Sequence, residues 1–322
     1  ARTCRSPQRA RALSLGLAVC RCPAALRAKW RVSDASRAGL PGISITADTM
    51  PLGLRDAALG SNPRSGTLQG ALYEMHMISQ TGRGAVVITP TYNEAENVRR
   101  LIPELFSRYS DIRVLVVDDA SPDGTAKVVQ GLATRYPGLA VLERPQKLGL
   151  GGAYRDAFDR VLTRSDVEAV VTMDADFSHD PAAVGVLLAA LETHDVAIGS
   201  RYVRGGRVVN WPVHRRLLSF FGNRYAQTIL GIRIADLTAG FHAIRRSAFV
   251  RLPRAQMRTD GYGFLIELKY RLHRSGARIT EVPITFTERR EGASKLSRKT
   301  IWEAMWLPWK LTYRRQMSPM LI

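Results

Sequence analysis

Asp174 and Asp176 stand one residue apart at the end of a short apolar run, Val170-Val171-Thr172-Met173, and Pro181 follows five residues after the second. On an extended backbone, side chains two apart face the same way, so the pair could share one divalent cation. A second acidic turn, Asp118-Asp119-Ala120-Ser121-Pro122-Asp123-Gly124, closes another apolar run. Carboxylates crowded on one edge raise one another's pKa unless a cation or hydrogen-bond donors compensate. Oxygen-only ligands select a hard ion, Mg²⁺ or Mn²⁺, with phosphate oxygens completing its shell. The competing expectation is a set of solvated turns whose acidic residues cap separate helices. His179 reads equally as a third ligand or as a helix-entry residue.

A scaffold must deliver these groups. Residues 85–89, 112–117, 139–142, the run into Asp174 and 195–198 read as short buried strands. Between them apolar residues recur at helical spacing, as at Val98, Leu101, Ile102 and Leu105, and again over 182–191. Asn93 with Glu96 is expected to cap the first of these helices, and Pro103 to kink it or delay its start. Strands alternating with helices of about 10–15 residues indicate an α/β fold with a mostly parallel sheet, whose ligands bind outside the carboxyl ends of the strands. After Gly199 the alternation loosens into a helix over 214–230, a turn over 236–241, a helix over 261–273 and a strand over 279–286.

Composition narrows the partners. The 322 residues carry 47 Lys and Arg against 28 Asp and Glu, a formal charge of +19. This favours an anionic partner (nucleic acid, an acidic membrane or phosphorylated ligands), the alternative being a merely solvated basic surface. No apolar run approaches the roughly 20 residues that span a bilayer. Cys4, Cys20 and Cys22 all lie near the start, so a disulfide framework or catalytic thiol in the rest is excluded, and a reducing compartment fits. Residues 1–82, rich in Arg, Ala and Ser, read as a poorly structured basic extension in preference to a targeting segment.

The remaining motifs are less decisive. Gly149-Leu150-Gly151-Gly152 lacks the spacing of a dinucleotide fingerprint and more simply permits close chain passage beside a ligand, and no Gly-Lys-Ser/Thr marks a nucleotide triphosphatase. Arg215 and Ser219 fall one helical turn apart and could grip one anion together. Trp302, Met305, Trp306, Trp309 and Tyr313 recur at helical spacing before Arg314 and Arg315, as a core-packing or an interfacial amphipathic helix would.

Pro90-Thr91-Tyr92-Asn93-Glu94, Val117-Asp118-Asp119, Asp174-Ala175-Asp176 and Gly199-Ser200-Arg201-Tyr202 occur in the order found in family 2 inverting glycosyltransferases. The chain resembles, within them, the polyprenol (dolichol) phosphate mannosyltransferases, over about residues 84–297. The resemblance implies a GT-A, Rossmann-like fold over 83–299, and the aromatic spacing beyond it an amphipathic, membrane-associating C-terminal helix over 300–322. It implies transfer of mannose from GDP-mannose to a polyprenyl phosphate at the cytoplasmic face of a membrane. By matching position, Pro90, Tyr92, Glu94, Val117 and Asp119 would hold the nucleotide, and Asp174, Ala175 and Asp176 the diphosphate. Asp174, Asp176 and Ser178 would hold Mg²⁺ or Mn²⁺; Arg201, Arg215, Ser219, Arg289 and Lys295 would meet the phosphates, with Asp176 and Arg201 nearest the chemistry. The protein would be peripheral, reaching the membrane through its terminal helix, an integral-membrane partner subunit, or both. A related UDP-glucose transferase, a nucleotide-sugar module without turnover and a basic nucleic-acid-binding protein are the competing functions, although no nucleic acid partner is expected.

Overall fold

The structure is a computed structural model that describes residues 78–252, 257, 259–288 and 305–313. Most of the basic extension, Arg289, Lys295 and Trp302 lie outside the described residues. The run Ala-Val-Val-Ile-Thr-Pro-Thr forms β1 (Ala85–Thr91). It pairs in parallel with β2 (Arg113–Asp118) on one side and β4 (Ala169–Thr172) on the other; β3 (Leu139–Glu143) lies beyond β2. Strand alternation sends Val86, Ile88, Leu115 and Val117 into one apolar cluster and Ala85, Val87, Val114 and Val116 into a second. Both faces of the sheet are therefore covered, as unbroken β-branched strands require. α3 (Leu150–Leu162) fills the first cluster with Tyr154, Phe158 and Val161. On the opposite face, α1 (Ala95–Arg108) and α4 (Ala183–Ala190) fill the second with Leu101, Leu105 and Leu187. Each such aliphatic side chain contributes roughly 1.5–3 kcal/mol.

β5 (Val196–Ser200) and β8 (Ile279–Pro283) continue the sheet in parallel. β7 (His242–Arg245) inserts between β4 and β5, antiparallel to both, giving the order β3-β2-β1-β4-β7-β5-β8. Four residues containing His and Arg carry no strand pattern of their own, so β7 was not legible; its neighbours make it a strand. The strand expected over 279–286 is broken. Pro283 cannot donate to a ladder, and past it β9 (Thr285–Thr287) leaves to pair with β6 (Arg207–Val209) in a separate ribbon. α5 (Val213–Leu230), α6 (Arg246–Val250), α7 (Gly261–Arg274) and α8 (305–313) follow, and a single helical turn over 78–81 precedes β1.

α1 is capped differently from expectation. Asn93 adopts a left-handed φ of 60° and Glu94 occupies the cap, its carboxylate accepting from Asn97 Nδ2 at 2.6 Å and capping no backbone amide, while Pro103 is carried inside a continuous helix. The donors at this end are met across the sheet edge by the turn between β2 and α2 (Thr125–Ala133). Asn93 N–H donates to Ser121 Oγ at 3.0 Å, Glu94 N–H to Thr125 Oγ1 at 3.1 Å, and Ala95 N–H to Asp123 Oδ2 at 3.0 Å. Asp123 also accepts from the Thr125 amide and hydroxyl. Burial pushes its carboxyl up, but the Thr125 hydroxyl and these backbone donors outweigh that and hold it below the usual range. Asp123→Ala is expected to lower stability by about 1–2 kcal/mol in urea unfolding at neutral pH. A depressed folded pKa stabilises above the unfolded value and ceases to as pH falls through the folded one, so the deficit shrinks in acid.

Candidate active site

A cleft of about 510 Å³ opens along the carboxyl ends of β1, β2 and β4. Pro90, Tyr92, Glu94 and Asp119 line one end, Asp174, Ala175, Asp176 and Ser178 the middle, and Arg201, Arg215 and Ser219 the other. Eleven of the expected site residues thus share one wall-to-wall space. Val117 does not: its side chain is wholly buried in the first core cluster, and its carbonyl accepts from Thr91 Oγ1 at 3.3 Å. It serves the site as strand.

At the first end, Asp119 is held by the buried Arg144 and accepts from the Leu148 and Gly149 amides, both at 3.1 Å. Its carboxylate therefore positions the loop before α3. That loop presents Lys147, whose ammonium sits 3.4 Å from the centre of the Tyr92 ring. Gly151 permits the close passage anticipated for it, since a Cβ there would stand 2.5 Å from the Thr259 carbonyl oxygen. Asp118 accepts from Ser121 N–H at 3.0 Å, Ser121 Oγ at 2.6 Å and Thr91 Oγ1 at 3.1 Å. Hence Asp118, Asp119 and Asp123 are compensated by protein donors. As company for a metal they are a misreading; the separate-turn expectation holds for them.

Asp174 and Asp176 lie past the end of β4, Asp176 within the bend over 175–179, with Phe177 at a left-handed φ of 58°. Such a backbone is strained for a bulky residue and persists where its surroundings hold it. Ser178 N–H donates to Asp176 Oδ1 at 3.1 Å, and the Asp174 side chain is 42% exposed to the cleft. His179 is buried between Phe241 and Phe286. Its Nδ1 accepts from Asp174 N–H at 3.3 Å. Burial keeps this imidazole neutral, lowering its pKa against the pull of Asp174 and Asp176. His179 therefore orients the Asp174 backbone and is neither a third ligand through Nδ1 nor a helix-entry residue. Among the described residues no group of three or more His, Cys, Asp or Glu converges as a metal cage. The buried Ser178 Oγ on the cleft wall has no hydrogen-bond partner among the described residues. Two carboxylates and one unsatisfied hydroxyl suit a hard cation that takes its remaining ligands from phosphate.

Beyond them, Arg201 is tied down. Its Nε and Nη2 reach Asp236 Oδ2 and Oδ1 at 2.7 and 2.6 Å, and Nη2 also donates to Thr238 Oγ1 at 2.8 Å. The expected direct grip on phosphate thus gives way, for these nitrogens, to anchoring the loop 235–240. Glu281 holds the same loop by accepting from the Ala235 and Asp236 amides at 2.7 and 3.0 Å. Burial raises the Asp236 pKa, but Arg201 more than offsets it and the carboxyl stays below its usual range. From α7 the fully buried Lys269 reaches the loop's underside; burial brings its ammonium down to about 7. Lys269 was missed, although its spacing from Leu265, Ile266 and Leu272 puts it on the apolar face of α7. Arg215 pairs with Glu288 and stacks on Trp211, 4.2 Å from that ring's centre, and Ser219 stands one turn along α5 on the same cleft wall.

Residues 86–252 match the model of glycosyl transferase family 2. The chain is 43% identical over 220 residues to the undecaprenyl-phosphate mannosyltransferase of Micrococcus luteus, covering 68% of this chain and 90% of that one. It is 43% identical over 239 residues to the polyprenol monophosphomannose synthase of Mycolicibacterium smegmatis, covering 74% and 89%. In architecture it is similar to glucosyl-3-phosphoglycerate synthase of Mycobacterium tuberculosis, solved with Mn²⁺, UDP-glucose and phosphoglyceric acid. That likeness has a TM-score of 0.50 at 19% identity over 77% of this chain and 85% of the other, and carries the fold alone.

Removing one partner of a buried ion pair strands the other. Asp236→Asn is expected to destabilise the protein by about 3–5 kcal/mol in denaturant unfolding. A loss below about 1 kcal/mol, the range of an exposed pair, would show that the Arg201–Asp236 contact does not hold the loop.

Proposed function

This chain belongs to glycosyl transferase family 2, and from that footing we propose that it transfers mannose from GDP-mannose to the phosphate of a polyprenyl lipid. The observation that carries the reading is the layout of one cleft. Nucleotide-end residues, an acidic pair and then Arg215 and Ser219 line it, and the wall continues onto an exposed apolar helix. Relatives named for mannosyl transfer to undecaprenyl or polyprenol phosphate support the sugar and the acceptor. The motif resemblance supports GDP. Residues 83–299 are taken as the catalytic unit.

The reaction needs little acid–base chemistry. A phosphate monoester has its second pKa near 6, so the acceptor oxygen is already anionic at neutral pH. It can displace the diphosphate directly: the bond from the acceptor oxygen to the anomeric carbon forms as the bond to the diphosphate breaks, and the electron pair leaves with GDP. Inversion follows from a single displacement. Asp174 and Asp176, with Ser178 Oγ, hold the divalent cation, so neither aspartate acts as a base. When bound, Mg²⁺ or Mn²⁺ offsets the charge that builds on the leaving diphosphate. Arg215 and Ser219 orient the acceptor phosphate, and Arg201 keeps the loop beside them in place.

The lipid has a matching surface. Val213, Leu217, Phe220 and Phe221 are exposed on α5 beside Arg216 and Arg224. α8 buries Leu307 and Leu311 in the core while exposing Trp306, Trp309 and Tyr313, so it both packs and presents aromatics. Tyr225 joins the two helices, donating to the Met305 carbonyl and accepting from Trp309 Nε1, both at 2.9 Å. Among the described residues no helix is long and apolar enough to cross a membrane. The protein is read as peripheral on the cytoplasmic face, its aromatics at headgroup depth and its cations on anionic lipid.

Incubation of the protein with labelled GDP-mannose, a short polyprenyl phosphate and Mg²⁺ or Mn²⁺ is expected to move label into an organic-extractable lipid. UDP-glucose should serve far less well, and Asp176→Asn should lower the rate about 100-fold or more. Label entering lipid only from UDP-glucose would overturn the donor assignment, and none from either donor the reaction. Phe221→Asp is expected to weaken cosedimentation with phosphatidylglycerol vesicles about tenfold, the value of one large buried apolar side chain.

A further inference from the structure

Two fully buried side chains hold the loop 236–240 from beneath. Lys269 Nζ, on α7, donates to the Leu237 carbonyl at 3.1 Å and the Ala239 carbonyl at 2.6 Å. Thr172 Oγ1, on β4, donates to the Gly240 carbonyl at 2.6 Å. The loop's other face belongs to the cleft, which Thr238, Ala239 and Gly240 line. Gly240 lies against the acidic pair: a Cβ built there would stand 3.7 Å from both Asp174 carboxylate oxygens. These donors thus turn three carbonyl dipoles inward, away from the place where a diphosphate must approach Asp174. A Met in place of Lys269 would fill similar volume without the penalty of a buried amine. It would take that donor from the Leu237 and Ala239 carbonyls and leave the loop free to shift, moving Gly240 off Asp174 and loosening the acidic pair that holds the cation.

We infer that Lys269 and Thr172 are positioning residues for the metal–diphosphate subsite, acting through the Leu237, Ala239 and Gly240 carbonyls and touching neither ligand. The inference rests on the reading of Asp174 and Asp176 as cation holders. Paramagnetic resonance of free Mn²⁺ tests it in the presence of GDP, comparing the wild type with Lys269→Met and Thr172→Val. Both variants are expected to weaken Mn²⁺ binding at least about tenfold, the usual effect of losing a group that orients a metal site from behind. GDP binding in EDTA should stay within twofold of wild type in either variant. Thr172→Val conserves shape on a different element from Lys269, the two sharing the loop and the buried His242 beside it, and one informative variant remains if Lys269→Met does not fold. Leu105→Ala in α1 is the control for lost stability alone, and its Mn²⁺ affinity should not move. Wild-type affinity in Thr172→Val, or an equal loss in Leu105→Ala, would overturn the inference. Failure of the wild type to bind Mn²⁺ with GDP would instead overturn the metal reading beneath it.

Discussion

The buried ion pair between Arg201 and Asp236 is the constraint on which the rest of the site depends. Asp236 is fully buried, and an ionised carboxylate there is tolerable only with a bidentate partner and further donors. Arg201 supplies the first from the end of β5, and its own amide adds a bond at 3.0 Å. Glu281, on the neighbouring β8, grips the backbone just before. The pair therefore locks an irregular loop to two strands at the point where β7 turns back antiparallel between β4 and β5. Everything on the cleft side of that loop inherits its placement, Gly240 against Asp174 included.

Fixing geometry matters more here than supplying a reactive group. An acceptor that arrives as an anion would need no base, and the His179 imidazole beside the acidic pair is committed to the Asp174 amide, with burial lowering its pKa. What the reaction requires is that two polyanions meet, which costs free energy unless positive charge is already in place. The sequence's excess of cations would serve that need near the cleft through Lys147 and Arg215 and on the exposed faces of α5 and α8 through Arg216, Arg224 and Lys310. The same apolar and basic helices would bring a lipid phosphate to the mouth of the cleft without any spanning segment.

Much of this was legible because it is local. β-branched runs marked β1, β2 and β4, helical spacing marked the cover on both faces, and Asp174-Ala175-Asp176 marked the strand end that matters. What spacing left out shares a cause: it depends on who satisfies whom across the sheet. Asn93 looks like a cap, but Asp123 does that work from another turn. Asp118 and Asp119 look like metal company, but Ser121 and Arg144 meet their charge. Arg201 looks like a phosphate hand, yet its partner lies 35 residues on, which no spacing rule connects. Val117 is assigned to the ligand by its place in a motif, while strand alternation turns its side chain into the core. Lys269 could have been found, since a lysine on the apolar face of a helix signals a buried partner.

The central claim is that Asp174 and Asp176 hold a divalent cation and the leaving diphosphate together. Anomalous scattering from crystals grown with Mn²⁺ and GDP tests it most directly. The account predicts one Mn²⁺ peak at the Asp174–Asp176 turn, within about 2.0–2.2 Å of carboxylate oxygen and of diphosphate oxygen. A peak at Asp118 or Asp119, or GDP bound with its diphosphate away from that turn, would contradict it.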